Sequence, residues 1–121
     1  MPLQRPTLYA TNLALLLTHQ VDAAYQREWE MMGVPGGIEF FLIFNLAVSL
    51  PLILAYRRVV ANTGRARAAE LSLGSIGLLT IAIHATFFVL GRNEFTQAGS
   101  LLILLAIAIT SVLQIVRTRG R

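Results

Sequence analysis

Four apolar runs, each about as long as a bilayer is thick, occupy most of this chain and constrain its fold more than any other feature. They cover residues 8–24, 37–56, 71–90 and 99–116. A helix needs about 20 apolar residues to cross the hydrocarbon core. Helices are the default reading because each satisfies its own backbone hydrogen bonds in lipid. Of the 121 residues, 55% are hydrophobic and 13% charged, against about 25% charged in soluble domains. A chain this short has too much surface for its volume to hide that apolar content from water. The connections 25–36, 57–70 and 91–98 are short, which forces neighbouring helices to run antiparallel. The expected fold is therefore an all-α membrane protein, an up-down four-transmembrane-helix bundle forming a single domain over residues 1–121.

The charges set an orientation. Lysine is absent and all ten positive charges are arginine. With four spans, both termini and the 57–70 loop share one side, together with Arg5, Arg57, Arg58, Arg65, Arg67, Arg117, Arg119 and Arg121. Only Arg27 and Arg92 fall on the other side. The positive-inside rule then predicts a multi-pass protein of the inner (plasma) membrane with both termini cytoplasmic. The arginines sit between apolar runs rather than in a patch with interleaved aromatics, so nucleic acid is not an expected partner. Membrane lipids, a second copy of the chain or a larger membrane complex are. The chain has no cysteine, which excludes disulfides, thiolate metal sites and cysteine nucleophiles. It also carries no P-loop, dinucleotide fingerprint or nucleophile elbow.

The remaining ionisable residues cluster by topology. Asp22, Glu28, Glu30, Glu39 and Glu94 all fall on or near the outer side, and only Glu70 is cytoplasmic. His19 lies one turn inside the outer end of the first run. His84 lies six residues before the end of the third, about 9 Å deep at 1.5 Å per residue. Asn12, His19, Asp22 and Gln26 follow at helical intervals and share a face, and a polar face in a membrane should turn toward protein or a water-filled cavity. Gly77, Thr80 and His84 do the same in the third run. Gly74 and Gly77 favour close helix approach, and the pairs Asn45/Ser49 and Thr110/Gln114 suit interhelical hydrogen bonds. Glu39 follows Pro35–Gly37, in a first helical turn where the helix dipole favours its charge.

His19, Asp22, Glu39 and His84 are therefore the candidate metal-ligating set, with imidazoles and carboxylates suited to zinc, iron or manganese. Glu28, Glu30 and Glu94 read more simply as solvated loop charges. Tyr25, Trp29 and Phe95 read as an interfacial aromatic belt.

At Thr18, His19, Asp22, Ala23, Glu28 and Trp29 the chain resembles a family of small bacterial four-helix membrane proteins of unknown function. In that family the first helix ends in Thr-His-Glu-(Leu/Ile)-Asp-Ala, followed by Glu-Trp. Gln20 is the departure, standing where that pattern usually has glutamate. The resemblance implies the four-helix membrane architecture and no particular activity.

Four function classes remain open: a divalent-metal protein, an accessory or assembly subunit with a structural polar cluster, a small membrane enzyme acting on a lipid-like substrate, and a bis-histidine haem protein. In the enzyme, a histidine and carboxylate pair would move protons. In the haem protein, His19 and His84 would be the axial ligands; the nearby carboxylates rank haem below a bare divalent metal. Transport through a single bundle is disfavoured by the lack of an inverted repeat or broken helix pair.

Overall fold

The computed structural model describes residues 4–120; Arg121, counted above with the basic side, lies outside them. Four long helices and one helical turn account for most of these residues. Helix α1 spans Arg5–Tyr25, α2 Glu28–Met31, α3 Gly37–Ala61, α4 Ala66–Val89 and α5 Ala98–Thr118. Among the described residues there is no strand. Helices α3, α4 and α5 are long and apolar enough to cross a membrane. Helix α1 has the length but is less apolar, because Asn12, His19, Gln20 and Asp22 interrupt it.

The helices outrun the apolar runs at the basic end. Helix α1 starts at Arg5, with proline in its first turn, where the ring's missing N–H costs nothing. Helix α3 continues past Tyr56 to Ala61 and stops where Asn62 turns left-handed at φ 51°. Helix α4 begins at Ala66, before the third apolar run, through Ala, Arg and Glu residues that favour helix outside the hydrocarbon as well as inside it.

Helices α1 and α4 each pack against both α3 and α5, and meet each other across the middle. One apolar cluster lies toward the basic end and includes Tyr9, Leu52, Leu73 and Ile107. The other lies at the opposite end and includes Trp29, Phe41, Phe87 and Phe95. Asn12 ties α1 to α5: its amide nitrogen donates to Ser111 Oγ (3.1 Å) and Gln114 Oε1 (2.9 Å), and its oxygen accepts from Thr110 Oγ1 (3.0 Å). The pair Thr110/Gln114 thus bridges helices as its spacing predicts. Asn45 does not, since it donates to the Phe41 carbonyl of its own helix.

Gly74 and Gly77 set the approach of α4 to α5. A Cβ on Gly74 would sit 2.7 Å from Ile115 Cγ1, and one on Gly77 would overlap Ser111 Oγ. At the basic end, Arg5 reaches Glu70 at 3.5 Å and donates to the Arg117 carbonyl at 2.8 Å. The starts of α1 and α4 and the end of α5 are thereby held together. The opposite end carries both histidines.

Candidate metal centre

Three buried side chains from three elements converge at that end: His19 of α1, Glu28 of α2 and His84 of α4. One donor atom from each lies within 4.8 Å of the others. His84 Nε2 is 3.6 Å from Glu28 Oε1, and His19 Nε2 is 3.8 Å from Glu28 Oε2. Both separations exceed the roughly 2.7–2.9 Å of a charge-assisted hydrogen bond. They approach the spacing of donors sharing an ion: with bonds of about 2.1 Å, tetrahedral ligands lie about 3.4 Å apart.

The backbone fixes which nitrogen of His84 is free. Its Nδ1 lies 2.7 Å from the Thr80 carbonyl oxygen. A carbonyl only accepts, so Nδ1 carries a proton and donates. In a neutral ring the lone pair then sits on Nε2, which is buried without a hydrogen-bond partner among the described residues. A backbone carbonyl on one ring nitrogen and an open lone pair on the other is the arrangement that orients metal-ligating histidines. An orphaned buried polar atom otherwise costs about 1–3 kcal/mol.

Aromatic rings close the site. Phe95, from the loop between α4 and α5, packs on His84 edge to face at 4.5 Å and on His19 at 5.6 Å between centroids. Phe87 also meets His84 edge to face, at 5.3 Å, and stacks on Phe95 at 6.4 Å between centroids. The two imidazoles themselves meet edge to face with centroids 4.5 Å apart. Axial imidazoles of a haem have nitrogens about 4 Å apart across the iron, with ring centres farther out. The observed spacing does not admit a porphyrin between these rings.

The sequence-predicted residues divide. The structure brings His19 and His84 together. Asp22 is beside the site but turned to α5, where its Oδ2 accepts from Ser100 Oγ at 2.5 Å. Glu39 is exposed in the first turn of α3 and takes no part in the group. The helix dipole accounts for its charge there but says nothing about its direction. Glu28, read from sequence as a solvated loop charge, is the carboxylate that meets both histidines. Trp29 and Phe95 are likewise buried, Trp29 against Phe41 at 5.2 Å, whereas Tyr25 is exposed as an interfacial residue should be.

Glu28 turns inward because the chain breaks after α1. Arg27 is left-handed (φ 54°, ψ 51°), a region that few non-glycine residues enter. The single turn α2 then folds back over the end of α1 and presents Glu28 to His19. The sequence carries no periodic signal for this: Glu28 follows His19 by nine residues, and the four-residue α2 is too short to show a helical interval.

Burial, and then the nearby Asp22 carboxylate, push the Glu28 pKa up from 4.5 to about 7. The unfolded chain gives up this proton first, so the metal-free protein is most stable below about pH 4.5. It loses that stabilisation as pH rises through about 7. Thermal unfolding of chelator-treated protein across that window measures the effect, and a melting temperature rising with pH would contradict it. Asp22→Ala should leave metal binding intact while lowering stability by about 1–2 kcal/mol through loss of the Ser100 hydrogen bond; loss of metal instead would make Asp22 a ligand.

Fold and site together define a helical protein with membrane-length apolar helices and a buried two-histidine, one-carboxylate group that is able to hold a metal ion. The chain belongs to the family described as Family of unknown function (DUF6713), whose pattern matches residues 5–121. Neither a curated protein nor a solved structure matches it.

Proposed function

We propose that this is a four-span, up-down membrane protein that holds one divalent metal ion on His19, Glu28 and His84 in the outer half of the bilayer. The single observation that carries the metal reading is the buried, unpartnered Nε2 of His84. Thr80 fixes its tautomer, and it lies 3.6 Å from Glu28 Oε1, in the group that His19 completes within 4.8 Å. Three protein ligands with a remaining open position are the pattern of catalytic rather than purely structural zinc. Two histidines and one carboxylate equally suit ferrous iron or manganese.

The membrane reading is supported by the surface. On α3, Leu42, Ile43, Leu46, Leu50, Ile53 and Leu54 are all exposed, a contiguous apolar face suited to lipid rather than water. The arginine asymmetry puts the Arg5–Glu70–Arg117 end in the cytoplasm and the metal group toward the outside.

Elemental analysis of protein purified without chelator tests the reading. About one zinc, iron or manganese per chain is expected, removable by chelator and restored on adding the ion back. A metal-free protein that takes up none of the three, at any pH between 7 and 8 where Glu28 becomes a carboxylate, overturns it. The triad would then be a structural polar cluster, as an accessory subunit requires.

A further inference from the structure

A cavity of about 230 Å³ runs from the metal group into the interior between α1, α3 and α4. His19 and Glu28 stand in its wall at one end; Leu13, Val48, Leu52 and Ile76 line the other. An apolar cavity of about 150 Å³ already stays dry and takes up small hydrocarbons, so one this size invites an apolar guest. Two of its polar wall residues are turned to their own helices: Thr80 Oγ1 donates to the Ile76 carbonyl and Asn45 Nδ2 to the Phe41 carbonyl. Phe40, Phe44 and Leu79 belong to the wall and are also exposed. The cavity is therefore open sideways, onto the apolar face that the membrane reading assigns to lipid.

The head of the guest follows from charge. A divalent ion held by two neutral imidazoles and one carboxylate keeps one net positive charge and an open position, in a setting that Phe95 and Phe87 make apolar. An anionic oxygen ligand both fills the position and cancels the charge. Hydrocarbon below and an anionic oxygen above describe a fatty acid. Resting on the metal reading, we propose that the cavity binds the acyl chain of a single-chain fatty acid and delivers its carboxylate to the metal on His19, Glu28 and His84.

The test uses full-length, metal-loaded protein in nanodiscs and decanoic acid carrying a photoactivatable diazirine at its chain end. Cross-links should map to Leu13, Val48, Leu52 or Ile76, and unlabelled decanoic acid should displace them. Decanol, with the same chain and no charge, should compete roughly tenfold more weakly. Chelation or Glu28→Gln should weaken probe binding by a similar factor. Val48→Phe, which fills the deep end, should abolish the competable cross-links while keeping the metal; Ser49→Leu serves where that variant fails to fold. Cross-links spread over the outward Leu46, Ile53 and Leu54, undisplaced by competitor, overturn the proposal and leave the metal reading standing. Protein that binds no metal overturns the metal reading and the carboxylate anchor together, even where cross-links still mark the cavity.

Discussion

Glu28→Gln is expected to lower metal affinity at least ~100-fold, more than loss of a group behind the ligands usually costs, and yet to stabilise the metal-free protein at alkaline pH. The two effects have opposite signs because the same carboxylate is a ligand when the ion is present and a buried charge when it is absent. Glutamine keeps the shape of the side chain and mimics its protonated form. Near pH 5 the wild-type carboxyl already carries its proton, its pKa being raised to about 7, so variant and parent should melt alike there. At pH 9 the parent carries the full desolvation cost and the variant does not. The difference is on the order of 3 kcal/mol in favour of the variant, because a tenfold change in proton affinity between folded and unfolded chains is worth about 1.4 kcal/mol. Metal titration and thermal melts at the two pH values, both after chelation, supply the readings. A variant less stable than the parent at both pH values would mean that Glu28 works as the ionised partner of a charged histidine, which would overturn the ligand assignment.

Gly77→Val should destabilise the protein by about 3 kcal/mol or more, toward the upper end of what overpacking costs. The position has no room: a Cβ would overlap Ser111 Oγ and lie 3.3 Å from Ile107 Cγ2. Both neighbours are fully buried, and Ser111 Oγ is held by Asn12. Pushing α5 away from α4 would therefore also break the link between α5 and α1. His84 sits two turns further along the same face of α4, so metal affinity should fall as well. A double-variant cycle isolates the cause. If the clash with Ser111 is responsible, Gly77→Ala combined with Ser111→Gly should be less damaging than the sum of the single changes by about 1–3 kcal/mol. Simple additivity would mean that helix approach at Gly77 is not what limits stability.

The features legible in the sequence were those that a one-dimensional pattern can carry. The apolar runs located all four long helices, because a membrane-length run of hydrophobic residues has few other structures open to it. The intervals from Gly77 to His84 placed a close approach and an imidazole on one face of α4, and the intervals around Asn12 and His19 placed a polar face on α1. Side-chain direction at breaks in the chain was not legible. The four-residue α2 is too short for any periodicity, so nothing marked Glu28 as inward-facing or Trp29 and Phe95 as buried. Glu39 shows the reverse case: it stands in the first turn of α3, yet it is exposed and outside the group of His19, Glu28 and His84.

By itself the sequence determined the number, order and approximate length of the long helices and the end of the molecule at which both histidines lie. These follow from local hydrophobicity and helical spacing, which need no knowledge of neighbours. Only the tertiary structure decided which carboxylate joins the histidines. That choice depends on a left-handed turn at Arg27 that folds α2 over the end of α1, on Ser100 of α5 claiming Asp22, and on Phe95 closing over both rings. Each of these is a contact between residues distant in the chain or a single backbone angle, and neither leaves a periodic trace in the order of amino acids.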